Sequence, residues 1–246
     1  MPAPSLVDRV AVVSGSSRGI GRACALALAL AGASVTALVR STGPTCTNLE
    51  NELTRVSPGS RVLACDVTDP SSVVAAAEDI ARTFGRVDVL VNNAGIVSSA
   101  DLVSLTLAEW HRVMDTNITG TFLLTQALLP LLGVGASVVN IGSGVAAVGM
   151  PARAHYTASK AATVGFTRSL CKELGPIGVR ANVVTPGIID TDQVSSLAPE
   201  QRRRYESLAA LGRLGTPEDV ADVVVFLAGD QSRFISGATI PVDGGI

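Results

Sequence analysis

Tyr156 and Lys160 stand four residues apart, the spacing that puts two side chains one turn above each other on the same face of a helix. A free phenol has a pKa of about 10 and is a poor proton donor or acceptor near neutrality. An ammonium beside it favours the phenolate, pulls that pKa down and makes the tyrosine a usable general acid–base. Ser143, thirteen positions earlier, follows the apolar segment Ser137-Val138-Val139-Asn140-Ile141, which reads as a strand. A hydroxyl at its end can hydrogen-bond a carbonyl oxygen and hold it against the phenol. Taken alone, the Tyr/Lys pair is equally what a half-buried ring beside a solvated charge looks like. The elements that must position these residues therefore carry the argument.

The first of them is a short β-branched run, Arg9-Val10-Ala11-Val12-Val13-Ser14, that reads as a buried strand. Gly15-Ser16-Ser17-Arg18-Gly19-Ile20-Gly21 follows, and then Ala23, Leu26, Ala27 and Leu30 at helical spacing. Strand, glycine turn and helix are the layout of a dinucleotide site. Glycines let the backbone approach a pyrophosphate, and the helix N-terminus faces its negative charge. The spacing is G-x-x-x-G-x-G rather than G-x-G-x-x-G, and an ordinary strand–helix turn is the competing reading. Ser34-Val35-Thr36-Ala37-Leu38-Val39-Arg40 reads as the second strand. A site for NAD places an acid at its end to take the ribose 2′-hydroxyl; here Arg40, Ser41 and Thr42 stand instead. An arginine suits a 2′-phosphate, and Arg18 in the glycine turn reaches toward the same place. The pair points to NADP(H), against two solvated surface cations.

A third strand, Arg61-Val62-Leu63-Ala64, leads to Cys65-Asp66-Val67-Thr68; Asp66 suits an adenine amino group or a capping turn. Asp69-Pro70 begins a helix with an N-cap acid and proline at the first helical position. A fourth strand, Val87-Asp88-Val89-Leu90-Val91, ends in Asn92-Asn93-Ala94-Gly95, whose amides can tie neighbouring strands and whose glycine lets a ribose lie close. The pattern predicts helix from Leu107 to about Leu132. Asn117 in its middle is unfavourable for propensity and reads either as a structural amide or as the holder of a water in a proton relay. A second long helix, about Ala154 to Leu174, carries Tyr156 and Lys160. Arg180-Ala181-Asn182-Val183-Val184 is a sixth strand, Thr216-Pro217-Glu218-Asp219 has the form of a capping box, and Ala238 to Val242 is a last strand. Strands alternate with helices throughout, which predicts a single α/β domain over 1–246: a doubly wound parallel sheet of Rossmann type.

Composition bounds the function. Hydrophobic residues make up 47% of the 246 and aromatics only 3%, so small aliphatic side chains fill a sizeable core. The net charge of −2 argues against a nucleic-acid surface. No apolar run reaches the roughly 18 residues of a membrane span. Met1 to Arg9 has neither an apolar leader core nor an arginine-rich amphipathic pattern. Cys24, Cys46, Cys65 and Cys171 lack metal-ligand spacing and read as free thiols in a reducing compartment. The expectation is a cytoplasmic protein without a metal.

Taken together, Gly15…Gly19-Ile20-Gly21, Asn92-Asn93-Ala94-Gly95, Asn117, Ser143, Tyr156-x-x-x-Lys160, Pro186-Gly187 and Val242-Asp243-Gly244-Gly245 resemble the short-chain dehydrogenase/reductase family over essentially the whole chain. Within it the chain is similar to 3-oxoacyl-carrier-protein reductases and carbonyl reductases. The resemblance implies that Tyr156 protonates a carbonyl oxygen as hydride arrives from the nicotinamide. Lys160 then binds the nicotinamide ribose and lowers the tyrosine pKa, Ser143 positions the carbonyl, and Asn117 holds a water. It implies further cofactor contacts from Asp66 and Val67 at the adenine, Asn93 on the ribose side, and Ile189 and Thr191 at the carboxamide and phosphate, with Ser17, Ala94, Gly95, Pro186 and Gly187 also in the cofactor site. It also implies a homotetramer. Three departures stand out: Ser14 replaces the usual threonine, the segment Leu131–Ala136 is short and lacks a basic residue, and little chain follows Gly245.

The expected pocket is small and apolar, from Ile96, Val97, Val145, Ala146, Ala147, Val148, Met150 and the segment 192–212. A lid is expected at about 190–212, with Gln201-Arg202-Arg203-Arg204-Tyr205 on a helix; its arginines read as a solvated face or as a dock for a phosphopantetheine or CoA phosphate. His155 reads as structural or as pocket rim. Three functions compete: an NADPH-dependent reductase of a 3-oxoacyl thioester, with acyl carrier protein as a possible partner; a reductase or alcohol dehydrogenase for free ketones; and a silent nucleotide-binding subunit of a hetero-oligomer. The intact Asn117, Ser143, Tyr156 and Lys160 set argues against the third.

Overall fold

The computed structural model describes residues 5–191 and 198–246. Seven strands form one parallel sheet in the order β3-β2-β1-β4-β5-β6-β7. They are β1 (Val10–Ser14), β2 (Ser34–Val39), β3 (Arg61–Ala64), β4 (Val87–Asn92), β5 (Leu132–Ile141), β6 (Arg180–Pro186) and β7 (Thr239–Val242). The strand order reverses between β1 and β4, and the crevice outside the carboxyl ends of those two strands is where a parallel sheet of this kind receives a ligand.

Alternate residues of each strand feed two cores, one on each face. Ala11 and Val13, Val89 and Val91, Val139 and Ile141 join one cluster, against α1 (Gly19–Leu30), α2 (Pro44–Val56) and α9 (Pro217–Ala228). Val12, Leu90, Val138 and Ala181 join the other, against α3 (Pro70–Phe84), α5 (Gly120–Leu128) and α7 (Ala154–Leu174). Because both faces are covered, the strands read as continuous apolar runs rather than as alternating ones. Helix starts follow the expected chemistry. Asp69 accepts from the Ser71 N–H, and Thr216 and Asp219 form a reciprocal capping box. All four cysteines are free, and no helix among the described residues is long and apolar enough to cross a membrane.

Two differences from the sequence expectation matter. The helix expected over 107–132 is α4 (Leu107–Met114), a five-residue π turn (Asp115–Thr119) holding Asn117, α5, and a 3₁₀ turn (Leu129–Leu131). The wider turn lets the Asn117 side chain reach across to the backbone of Ile96; such bulges recur at functional sites. Strand β5 then begins at Leu132, paired with Val87, and its register shifts before Ser137 meets Val89. The second difference is α2, which the sequence reading did not assign. Only Cys46, Leu49 and Leu53 of its thirteen residues are buried, so its apolar stripe is thin. Two further helices among the described residues are α6 (Val145–Val148) and α8 (Pro199–Leu208).

Candidate active site

Gly15 and Gly19 have φ of +67° and +56°, the left-handed region that glycine enters without strain. A Cβ at Gly15 would lie 2.8 Å from Ala94 Cα, and one at Gly21 would lie 2.3 Å from both Asn93 Nδ2 and Gly15 O. This close approach is held by the end of β4. Asn93 Nδ2 donates to the carbonyls of Ser14 and Gly15 at 3.0 and 3.1 Å, and Ser14 Oγ accepts the N–H groups of Asn93 and Ala94, both at 3.1 Å. Serine does here the tying that a threonine would do. Helix α1 begins with neither a side-chain cap nor an acid in its first turn, so its first N–H groups remain available to an anion. A Cβ at Gly19 would touch the Thr191 methyl at 3.5 Å, which brings Thr191 to the turn; Ile189 is buried.

Arg18 and Arg40 are exposed, and among the described residues neither guanidinium has a hydrogen-bond or ion-pair partner. Arg22, between them in sequence, is paired with Glu52 at 2.6 Å. Ser41 offers its carbonyl to the Cys46 thiol. Asp66 takes the turn role: one of its oxygens accepts the Thr68 N–H and hydroxyl at 2.9 and 2.7 Å. The Val67 side chain is buried, with its methyl 2.8 Å from where a Cβ on Gly120 would sit. Pro186 and Gly187 close β6, where Pro186 O accepts the Gly144 N–H and Gly187 N–H reaches Val242 O.

Asn117, Tyr156 and Lys160 come from two helices that pack side by side. Asn117 Oδ1 accepts the Ile96 N–H at 2.8 Å, and its Nδ2 donates to Ile96 O and to Ser159 Oγ, each at 3.0 Å. Ser159 in turn donates to Tyr156 O at 2.8 Å. These bonds make Asn117 a structural amide and leave one acceptor position on Oδ1. Gly95 lies where the two side chains converge: a Cβ there would be 3.3 Å from Asn117 Oδ1 and 3.5 Å from Lys160 Nζ. The Lys160 ammonium is buried, donates to Ile141 O at 2.8 Å and sits 5.9 Å from the Tyr156 ring centroid.

The protonation energetics correct the sequence expectation. Burial pushes the Tyr156 phenol above its ordinary value, offset in part by a hydrogen bond from Ser143 and by the Arg153 charge. The neighbouring lysine does not reverse that direction. Burial instead lowers Lys160 itself, to about 8.

The sequence reading expected the Asn92 and Asn93 amides to tie neighbouring strands, but it missed the ring of buried polar groups to which Asn92 belongs. Thr121 Oγ1 donates to Asn117 O, and Thr125 Oγ1 to Thr121 O. Asn92 Nδ2 donates to Thr125 Oγ1 and Asn140 Oδ1, and Asn140 Nδ2 to Thr167 Oγ1. Thr167, Thr163 and Ser159 then step back up α7 to Asn117. The ring locks the register of α5, α7 and the two strand ends, and so sets where Tyr156 stands. Apart from the Asn92 amide, hydroxyls four residues apart on helices with apolar neighbours were the sequence signal for it.

A family model described as enoyl-(acyl carrier protein) reductase matches residues 15–246. The 3-oxoacyl-[acyl-carrier-protein] reductase FabG of Vibrio cholerae is 38% identical over 244 residues, covering 98% of each chain. That of Escherichia coli is 37% identical over 244 residues, covering 97% of each. Among solved structures, a short-chain dehydrogenase from Burkholderia cenocepacia in complex with NADP superposes with a TM-score of 0.90 at 34% identity, covering 98% of both chains. A blue fluorescent protein from a metagenomic library, in complex with NADPH, does so with a TM-score of 0.90 at 38% identity, also covering 98% of both. The chain belongs to the short-chain dehydrogenase/reductase family. It is an oxidoreductase by that membership, and its parallel sheet is the family's fold.

In this short-chain reductase the arginine run of α8 is divided. Arg202 is engaged by both oxygens of Asp190 and by Glu206, while Arg203 and Arg204 are exposed. Residues 192–197, part of the expected pocket and lid, lie outside the described residues. His155 is fully buried, which places it in the structure of the wall rather than at the rim.

Proposed function

We propose that this chain is an NADPH-dependent reductase of a ketone carried on a 3-oxoacyl thioester. The observation that carries the reading is the convergence of Lys160 and Asn117 at Gly95, with the Lys160 ammonium over the Tyr156 ring, beside the glycine turn at the switch point of the sheet. The turn fits a dinucleotide because the uncapped, acid-free start of α1 leaves backbone N–H groups for its phosphates, while Gly15 and Gly21 let the turn pack tightly against the end of β4. Gly15, Ser17, Gly19 and Ile20, with Thr191, would hold its phosphates. Arg18, Arg40 and Ser41 would meet a 2′-phosphate, Asp66 and Val67 the adenine, and Asn93, Ala94, Gly95 and Lys160 the ribose. Pro186, Gly187 and Ile189 would line the carboxamide. When bound, the reduced nicotinamide supplies a hydride.

The chain's own residues do the rest. Ser143 donates a hydrogen bond to the substrate carbonyl oxygen and holds it at the phenol. As negative charge builds on that oxygen, Tyr156 Oη releases its proton to it, giving the alcohol. A phenol raised by burial rests protonated at neutral pH, the state a proton donor needs. Lys160 spends one N–H on Ile141; its remaining hydrogens are free for ribose hydroxyls, and its charge stabilises the phenolate left behind.

Under this reading the carrier is CoA or an acyl carrier protein, and α8 acts as a lid over the substrate. The protein works in the cytoplasm as a homotetramer. A second reading, reduction of free ketones, is favoured by the start of β5, where Gly133 and Val134 are exposed and the segment Leu131–Ala136 supplies no basic side chain of its own for an acidic carrier. Oxidation of NADPH and NADH by the purified protein with acetoacetyl-CoA, beside simple ketones, separates the two. NADPH-specific turnover of the thioester supports the first. Turnover of free ketones alone supports the second, and turnover of neither refutes both.

A further inference from the structure

The segment after β4 is anchored at every second residue. Ile96 is bonded through its N–H and carbonyl to Asn117. Ser98 Oγ lies 2.5 Å from His155 Nε2. The Ala100 N–H donates to Ala152 O at 2.9 Å. Exposure alternates in step: Ile96, Ser98 and Ala100 are half-buried, whereas Gly95, Val97 and Ser99 are exposed. A period of two is that of an extended chain with two opposite faces. The exposed face includes Gly95, whose Cβ position looks onto Lys160 Nζ and Asn117 Oδ1. The same face carries Val97 and Ser99 onward from the catalytic centre.

The middle anchor is the unusual one. His155 is fully buried, and its Nδ1 is buried without a hydrogen-bond partner among the described residues. If Ser98 donated to Nε2, Nδ1 would carry a buried orphan N–H. If Nε2–H donates to Ser98, the orphan is only a lone pair, the more tolerable of the two. The serine hydroxyl is then free to turn its proton toward the nearby Glu109 carboxylate, whose pKa Arg112 and Ser98 together hold down. Glu109 is itself gripped by Arg112 through both oxygens, each at 2.7 Å. The polar groups therefore point in one direction, from His155 to Ser98 and on toward the charge-assisted Glu109–Arg112 pair.

We propose that His155 is a positioning residue that, through Ser98, pins the segment 95–100 as an extended strap and so fixes Val97 and Ser99 as one wall of the substrate pocket. It acts on substrate binding rather than on proton transfer, although it adjoins Tyr156 in sequence. The pocket's shape is thus set by a side chain that touches no substrate.

The experiment compares His155→Ala, His155→Gln and Ser98→Ala with the wild type. Hydrogen exchange on the ligand-free protein reads the strap directly. In H155A the Ala100 amide should exchange at least about 10-fold faster, while the Ile96 amide, anchored by Asn117, keeps its protection. H155Q, which offers an N–H near the Nε2 position, should restore it. S98A should match H155A, and the double variant should add nothing further. With whichever ketone the wild type reduces, KM should rise about 10-fold in H155A while kcat stays within about twofold. The kinetic arm rests on the reductase reading; the exchange arm does not, so failure of one is distinguishable from failure of the other. Unchanged exchange at Ala100, additive effects of the two substitutions, or a fall in kcat at constant KM would each overturn the proposal. Should H155A fail to fold, S98A removes the same bond from the half-buried partner and decides the matter alone.

Discussion

Replacing Lys160 by methionine should make the ligand-free protein more stable at neutral pH. The ammonium is buried, with one protein hydrogen bond among the described residues, to Ile141 O. Burial lowers its pKa from 10.5 to about 8, so carrying the charge at pH 7 costs the folded state about 3 kcal/mol. Methionine keeps the length and removes that cost, but leaves the Ile141 carbonyl without its donor, an offset of about 1 kcal/mol. The net gain of about 2 kcal/mol corresponds to a rise in Tm of about 4 °C for a chain of this length. The pH dependence has a definite sign. Between about pH 8 and 10.5 the unfolded lysine holds a proton that the folded one has lost, so wild-type stability rises with pH across that window. The variant has no such gain. Its advantage should shrink from pH 8 upward and reverse slightly by pH 10.5, where only the lost hydrogen bond remains. Thermal melts of both proteins from pH 7 to 10.5 test this. A variant less stable than wild type at pH 7, or a gap constant over the range, would refute the assignment of Lys160 as a charge held at a cost in stability for its chemistry.

Tyr156→Phe should lower kcat/KM by roughly 10²- to 10⁴-fold with an unchanged melting curve; full activity would remove Tyr156 as the acid. Arg40→Asp should move preference from NADPH toward NADH, read as the ratio of the two kcat/KM values, and an unchanged ratio would sink the 2′-phosphate assignment. Gly21→Ala sets two effects against each other. Helix propensity favours alanine by about 1 kcal/mol, but its Cβ would stand 2.3 Å from Asn93 Nδ2 and Gly15 O, where backbone cannot give way cheaply. The clash should win, with a Tm lower by at least about 5 °C and weaker dinucleotide binding; a melt at or above wild type would show that the cradle is loose.

Local signals were the legible ones. Val10 to Leu30 declared strand, glycine turn and helix because each depends on neighbours a few residues away: β-branched continuity, positive φ at Gly15 and Gly19, and apolar residues at helical spacing. The four-residue step from Tyr156 to Lys160 is a property of helix geometry alone. Helix α2 was missed because three buried residues among thirteen leave too narrow a stripe to detect. The break at Asn117 was felt as an unfavourable residue, but the π turn that resolves it depends on a partner, Ile96, 21 positions away.

Thus composition and local pattern by themselves determined an alternating parallel α/β sheet, a glycine cradle at its first turn, and the presence of a tyrosine–lysine pair. Tertiary structure decided which groups meet and in what protonation state. Asn92 finds Asn140 across 48 residues and Ser98 finds His155 across 57, through strand order and helix packing that no local window contains. The direction of the Tyr156 shift was decided in the same way. Spacing places the lysine nearby, but desolvation depends on everything packed around the phenol, and that outweighs a single neighbour.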